Sequence, residues 1–172
     1  MPATVSVHVG SLTPVWPNAL TTGVPPGTVL TNHVGDITLS TPQVLQNMHI
    51  QGEISVNVPG CTIKNCLIDN WGTFAIVTNA GAETGTPLLI QDCEIGPPSF
   101  TDPSDPNHAD GATQILSKNF TALRLNMHGS ENGFSIDANA SVLSCYVHDM
   151  NMKGADPHTD CIQRQHFAPY RT

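Results

Sequence analysis

Three short segments of this sequence combine acidic, amide and imidazole side chains at spacings that could support proton transfer. The segments are NHADGATQI (107–115), SENGFSI (130–136) and PHTDCIQ (157–163). Aligned with one another, they form a single polar column with flanking histidines: Asp110, Asn132 and Asp160, with His108 and His158 two residues before the aspartates. If the segments lie on neighbouring strands, these side chains share one edge of the fold, with Glu131 beside them.

Carboxylates next to imidazoles can supply a general acid and a general base. Glycosidases hold two carboxyl groups about 5 to 9 Å apart, and strands stacked about 4.8 Å apart give such separations between adjacent or alternate strands. One interpretation of the column is therefore glycan cleavage, with these candidate catalytic residues: Asp110, Asp160, His158, His108 and Glu131. No cofactor is expected, except Ca²⁺ near the acids if the reaction is that of a lyase.

The same column has two interpretations without catalysis. Asn and Asp at turns hydrogen-bond to local backbone, so the column could be a purely structural ladder. It could also bind a glycan without cleaving it, with Asn132 and Trp71 as candidate contacts, because aromatic faces stack on sugar rings. Trp16 is a further aromatic candidate, although a lone tryptophan also commonly covers a core edge. The His-x-Asp pairs have no evident third ligand, so no metal site is predicted.

The elements that must position these residues are short strands in an uneven repeat. Five segments superpose without gaps, at 45–50, 63–68, 90–95, 123–128 and 142–147. They predict three inward columns: Leu45, Ile63, Ile90, Leu123 and Val142; Met48, Cys66, Cys93, Asn126 and Cys145; and Ile50, Ile68, Ile95, His128 and Val147. A second set of strands is predicted at 73–77, 112–116, 133–137 and 161–165. His148 and Asp149, after the last segment, are interpreted as a turn-capping pair.

Stacked rungs satisfy this pattern because each rung can pair its backbone N–H and C=O groups only with the rung above or below. The uneven spacing puts the excess residues into projecting loops, as in other solenoids, and the longest predicted loop is the Pro-rich stretch 96–111. The sequence therefore predicts an all-β fold, a right-handed parallel β-helix of about five to six rungs over residues 27–172, after a short N-terminal extension (1–26). Cys66 and Cys93 are expected to stack as thiols rather than form a disulfide, since in-register side chains point the same way.

Composition argues against two classes of partner. The net charge is −8, from 14 acidic and 6 basic residues, and the basic residues are scattered. Such a surface has no stripe that could follow a nucleic-acid backbone, and nothing in it favours insertion into a membrane. The N-terminal stretch has neither a basic region nor an unbroken apolar run, so no signal peptide is predicted and assembly in a cytoplasm is expected.

Four stretches carry a family resemblance: PNALTTGVPPGTVLT (17–31), TIKNCLI (62–68), YVHDM (146–150) and HTDCIQ (158–163). They resemble right-handed parallel β-helix proteins of the pectin-lyase-like superfamily, especially those of actinobacteria and their phages, over nearly the whole chain from about residue 17. This superfamily includes polysaccharide lyases, glycoside hydrolases and non-catalytic tail components, so the resemblance specifies the fold better than the activity.

The resemblance implies a structural, receptor-facing or glycan-facing component of a phage tail, of the minor tail protein or tailspike type, localised in the virion. It also implies partners, which would be other virion proteins, further copies of the chain in a trimer attached through residues 1–26, and a surface polysaccharide. Family members commonly continue beyond an HTDGIQ-like segment, so the last rung is expected to need a covering partner or a continuation. The alternative is a polysaccharide lyase or glycoside hydrolase of the same superfamily acting on a host-envelope glycan.

Overall fold

The chain folds into six successive rungs of short strands. The computed structural model describes residues 16–69, 71–97, 112–151 and 159–164. The first three rungs contain β1 (Thr31–Val34), β2 (Ile37–Leu39) and β3 (Val44–Gln46); β4 (Met48–Gln51), β5 (Ile54–Val56) and β6 (Thr62–Lys64); and β7 (Leu67–Asp69), β8 (Phe74–Thr78) and β9 (Leu88–Gln91). The last three contain β10 (Glu94–Ile95), β11 (Thr113–Ser117) and β12 (Phe120–Leu123); β13 (Asn126–His128), β14 (Asn132–Ile136) and β15 (Ala140–Leu143); and β16 (Tyr146–His148) and β17 (Ile162–Arg164).

These strands form three sheets in which all pairings are parallel. Sheet A contains the first strand of each rung, in the order β1-β4-β7-β10-β13-β16. Sheet B contains the second strands, from β2 to β17, and sheet C contains the third strands, from β3 to β15. The predicted all-β, right-handed parallel β-helix is confirmed, with three strands in each of the first five rungs where the sequence indicated at least two. One 3₁₀ helix, Ala80–Ala82, is the only helix in the described ranges, and no described helix is long and apolar enough to cross a membrane.

The core is a set of stacked aliphatic columns inside the solenoid. In sheet B, Ile37, Ile54, Ile76 and Ile115 succeed one another in register, followed by Phe134. Burying such a side chain contributes about 1.5–3 kcal/mol relative to leaving it in water. Alternation in each strand sends these side chains inward and the intervening ones outward, so each sheet has one apolar inner face.

The corner between sheets C and A is short throughout the described chain, one residue long at Asn47 and two residues long at 65–66, 92–93, 124–125 and 144–145. The backbone at each such corner lies in the left-handed region, with φ between 51° and 56°, at Asn47, Asn65, Asp92, Arg124 and Ser144. Asn and Asp tolerate this conformation better than other L-residues, and the amide of Asn65 donates to Asn47 Oδ1 at 3.1 Å. Two rungs on, the Arg124 guanidinium binds both carboxylate oxygens of Asp92, at 2.6 and 2.7 Å.

The fourth repeat segment is displaced by one residue from its predicted register. Ala122, not Leu123, follows Ile90 in the inner column of sheet C, and Met127, not His128, follows Ile95 in sheet A. The predicted inward positions of Leu123, Asn126 and His128 are therefore wrong, and these positions belong instead to the buried side chains of Ala122, Leu125 and Met127. The corner geometry explains the shift, because Arg124 must stack between the corner residues Asp92 and Ser144, and a one-residue slip exchanges the two faces of a strand.

The predicted stack of thiols is present at Cys66 and Cys93. Cys66 and Cys93 are fully buried on successive rungs, and the Cys66 N–H points at Cys93 Sγ at 3.5 Å. All five cysteines carry free thiols. The hydrogen bond with Cys93 lowers the pKa of Cys66, whereas burial raises the pKa of Cys93. In the next rung Leu125 holds the position that the sequence assigned to Asn126.

Loops of variable length leave the other two corners of the solenoid. Sheets A and B are connected by only residues 35–36 in the first rung, but by residues 96–112 in the fourth. Most of the predicted Pro-rich loop 96–111 lies outside the described residues. Residues 16–30 form no strand and run outside the solenoid, where the Gly23 N–H donates to Arg124 O in the fifth rung at 2.9 Å.

Candidate functional site

The polar column predicted from sequence falls at the corner between sheets A and B. Of its members, Glu131, Asn132 and Asp160 are described, whereas Asp110, His108 and His158 lie outside the described residues. Phe134 pairs with Ile162, and the Gly133 N–H donates to Asp160 O at 3.0 Å. Asn132 and Asp160 therefore occupy equivalent places on successive rungs, as the alignment of their segments indicates.

The preceding rung differs from that alignment. Asn132 pairs with Thr113, so Thr113 holds the position on the fourth rung that the alignment gave to Asp110. The reason is again register: Ile115, rather than Ala112, stacks on Phe134 in the inner column. Alignment on the shared Asp/Asn-Gly pairs at 110–111 and 132–133 obscured this offset.

This corner is largely buried. Glu131 is 4% exposed and Asn132 is 6% exposed, whereas Asp160 is exposed. The Ser130 hydroxyl donates to Asn132 O at 2.9 Å, and the Gln114 amide donates to His128 O at 2.7 Å and Ile95 O at 3.1 Å. The Asn132 Oδ1 and Gln114 Oε1 atoms are buried acceptors that accept no hydrogen bond within the described part of the chain. Side chains at this corner thus donate to backbone carbonyl groups, and two buried side-chain oxygens have no donor within the described chain.

The two tryptophans have opposite environments. Trp71 is fully buried, and its indole N–H donates to Gly96 O at 3.0 Å. Its ring belongs to the hydrophobic core, so neither face is open for stacking on a sugar. Trp16, before the first rung, is 80% exposed.

A second cluster of polar and aromatic side chains lies on the outer face of sheet A, across the last three rungs. We call it the sheet A cluster, and its members are Glu94, Asn126, His128, Tyr146, His148 and Asp149. The rings of Tyr146 and His148 are stacked, with centroids 4.4 Å apart and planes 19° apart. The His128 ring lies 5.3 Å from that of His148. Three rings from two rungs therefore form a continuous outward-facing row.

Imidazole–carboxylate pairs dominate the electrostatics of this face. His128 Nε2 lies 3.2 Å from Glu94 Oε1, and His148 Nδ1 lies 2.8 Å from Asp149 Oδ2. The hydrogen bond from His128 lowers the pKa of Glu94; burial opposes this effect, and the charges of His128 and His148 add to it. The other nitrogen of His148 lies 2.9 Å from Asn126 Oδ1. Both nitrogens of His148 therefore lie within hydrogen-bond distance of side-chain oxygens, which fixes the ring plane against Tyr146.

A third imidazole–carboxylate pair lies on the same face, in the second and third rungs. His49 Nε2 is 3.0 Å from Asp69 Oδ2, and Asp69 Oδ1 is buried without a hydrogen-bond partner in the described chain. No group of three or more His, Cys, Asp or Glu side chains in the described ranges is placed to hold a metal ion. The chemistry available to this face is hydrogen bonding to hydroxyl groups and stacking against flat apolar surfaces.

The sequence assigned only part of this cluster. The predicted inward columns leave Glu94 and Tyr146 for the outer face, because each lies between two inward positions, but they include Asn126 and His128 because of the one-residue slip. The sequence predicted His148 and Asp149 as a turn pair, and they do bond to each other after the end of β16. The signal that could have found the cluster is the corner column, since aligning Arg124 with Asp92 and Ser144 brings Asn126 and His128 outward.

Comparison of the chain with protein-family models, curated proteins and solved structures finds no match.

Proposed function

We propose that this chain is a glycan-facing, non-catalytic component of a phage tail, and that the sheet A cluster is its glycan-binding surface. The single observation that carries the proposal is the stacked Tyr146–His148 pair on the outer face of the solenoid. The motif resemblance to pectin-lyase-like β-helix proteins of actinobacterial phages supplies the virion setting. On this proposal its partners are other virion proteins, further copies of the chain and a polysaccharide.

The cluster has the two features that sugar recognition requires. Aromatic rings offer a flat apolar surface with a polar edge, which suits the apolar face of a pyranose. Glu94 and Asp149 supply acceptors for hydroxyl groups beside the rings. Because rungs repeat about every 4.8 Å along the axis, the row of rings and acceptors follows the direction in which an extended polysaccharide would lie.

Binding is favoured over cleavage by the surroundings of Glu94. A carboxylic acid that donates a proton to a leaving group needs a raised pKa. The pKa of Glu94 is instead lowered, chiefly by the hydrogen bond from His128. Glu94 is therefore suited to accept hydrogen bonds and unsuited to donate a proton near neutral pH.

A panel of purified envelope polysaccharides from actinobacteria tests the proposal. We expect wild-type protein to bind at least one of them in an immobilised-glycan assay, and Tyr146→Ala to weaken that binding about tenfold through the loss of about 1–1.5 kcal/mol of aromatic contact. Leu143→Ala is the matched control, because Leu143 is a half-exposed large side chain that lies in sheet C of the fifth rung. Equal binding by wild type and Tyr146→Ala contradicts the proposal.

Cleavage of a polysaccharide at the corner between sheets A and B is the second candidate function. It is favoured by the placement of Asn132 and Asp160 on successive rungs, next to the buried Glu131. The same polysaccharides, incubated with the protein and sized by gel filtration, separate the two functions. Shortening of the polysaccharide by wild type but not by Asp160→Asn would establish cleavage; unchanged chain length supports binding alone.

A further inference from the structure

The segment before the first strand lies against the sheet A cluster. We call residues 16–30 the strap. Local hydrogen bonds order its first part: the Leu20 N–H donates to Asn18 Oδ1 at 2.8 Å, and the Thr22 hydroxyl donates to Asn18 O at 2.7 Å. The strap then reaches the fifth rung, where the Gly23 N–H donates to Arg124 O at 2.9 Å. From there it returns to the first rung, where β1 begins at Thr31.

Gly23 packs directly on Asn126, a member of the cluster. Gly23 is buried, its φ is +82°, and a Cβ added to it would lie 2.9 Å from Asn126 Cβ. That separation is shorter than real Cβ contacts, so any side chain at position 23 would displace either the strap or Asn126. Asn126 is itself only 7% exposed, which shows how closely it is covered.

Asn126 transmits this contact to the rings. Its Oδ1 lies 2.9 Å from His148 Nε2, and the His148 ring stacks on Tyr146. An amide that is packed against backbone on one side has few alternative rotamers, so it presents its oxygen to His148 in one direction. The orientation of the ring pair therefore depends on a residue more than 100 positions away in the sequence.

We propose that the strap is a positioning device for the ring pair and that Gly23 is the positioning residue, acting through Asn126 on His148. This inference deepens the proposed function, since the device would set the affinity of the glycan-binding surface. The strap acts on the arrangement of the His148 and Tyr146 side chains, and that arrangement can be measured without any glycan.

A pair of glycine substitutions tests the contact. Gly23→Ala and Gly27→Ala both put alanine at φ +82° in the strap, but a Cβ at position 27 meets nothing within 4 Å. The backbone strain is thus matched, and only Gly23→Ala displaces Asn126. We expect Gly23→Ala to change the ring-current shift of the His148 Cε1 proton and to remove its nuclear Overhauser contact with the Tyr146 ring. Gly27→Ala should leave both signals as in wild type.

Asn126→Ala provides a second route if Gly23→Ala folds poorly. It leaves the strap glycine unchanged and removes the polar group that faces His148 Nε2, so we expect the same loss of the Tyr146–His148 contact. In the double variant, Gly23→Ala should add no further change to the His148 signals, because both substitutions act on one path. Identical spectra for Gly23→Ala, Gly27→Ala and wild type would overturn the proposal, as would an additive change in the double variant.

Glycan affinity supplies the functional readout. For a polysaccharide that wild type binds, we expect Gly23→Ala to bind about fivefold more weakly, the effect of about one lost hydrogen bond, and Gly27→Ala to bind as wild type does. If wild type binds no polysaccharide of the panel, the proposed function fails, but the His148 spectra still decide the role of the strap. If glycan binding is normal and the spectra of the two glycine variants agree, only the strap proposal fails.

Discussion

At the scale of single residues, the corner between sheets C and A requires a left-handed backbone at every rung. Two of the residues that adopt it, Asp92 and Arg124, also form an ion pair. Arg124 reaches across one rung to hold both oxygens of Asp92. Burial by itself would raise the pKa of Asp92, but hydrogen bonds from Arg124 and Gln91, together with the charge of Arg124, lower it. This ion pair therefore links the fourth and fifth rungs in a manner that depends on pH.

Breaking the Arg124–Asp92 ion pair should cost stability at neutral pH and less at acidic pH. A carboxyl whose pKa is lower in the folded state stabilises the fold above its unfolded pKa of about 3.9, and loses that contribution as the pH falls through the folded value. Arg124→Met should lower the free energy of unfolding by about 1 kcal/mol at pH 7, a modest value because the arginine side chain is 40% exposed and solvent screens the pair. The difference from wild type should shrink as the pH is lowered below 4, measured by urea unfolding across that range.

Asp92→Asn is the control for this prediction. In the Asp92→Asn background no carboxylate remains, so Arg124→Met should cost little more and show no pH dependence in this range. A cost of Arg124→Met that stays constant from pH 7 to pH 3 would show that the side chain acts by packing its stem and not by binding Asp92.

At the scale of the strand, the sequence predicted most of the fold because inward positions repeat the same residue types. Ile63, Ile90 and Val142 were placed correctly, since each begins an apolar-rich segment. The fourth segment was misplaced because Leu123 is a better apolar match to Ile90 than Ala122 is. Side-chain size alone could not decide between the two registers. The left-handed corner at Arg124 does decide between them, but the backbone conformation of a charged residue is hard to predict from sequence.

The register makes a direct prediction with two matched substitutions. Leu125→Ala should lower the free energy of unfolding by about 2–5 kcal/mol, because Leu125 is fully buried in the solenoid. Leu123→Ala should cost clearly less, about 1 kcal/mol or below, because Leu123 is partly exposed on the outer face of sheet C. Urea denaturation of the two variants measures both values. The opposite ranking would restore the register predicted from the sequence.

The sites were harder to predict than the strands. The sheet A cluster joins side chains from three rungs, so a single register error removes Asn126 and His128 from it. The contact of Gly23 with Asn126 adds a partner that no repeat pattern indicates, since the strap has no counterpart in the solenoid. Asn132 and Asp160 were paired correctly because their segments share the position of one inner apolar residue, Phe134 or Ile162.

At the scale of the whole molecule, stability comes from contacts between neighbouring rungs, as in other solenoids. The three corners contribute unequally to this stacking. The corner between sheets C and A has only one or two residues, whereas the connection between sheets B and C grows from residues 118–119 in the fourth rung to 79–87 in the third. Chain length is thus nearly constant at one corner and variable at the others, and this asymmetry explains why the repeat is regular in its strands and uneven in its spacing.

Insertion of one glycine at each kind of corner tests this asymmetry. After Thr84, in the connection between β8 and β9, the new residue extends an exposed loop whose ends stay anchored, since Lys118 binds Glu83 and the Gly60 N–H donates to Thr86 O. The added cost should be below about 1 kcal/mol, because loop closure depends weakly on length. After Asn65, the same residue displaces β7 relative to β6 and breaks the stack of corner residues between Asn47 and Asp92. We expect a loss of at least about 3 kcal/mol, since one face of the rung exchanges with the other. Equal unfolding free energies for the two insertions would show that the left-handed corner follows the register instead of setting it.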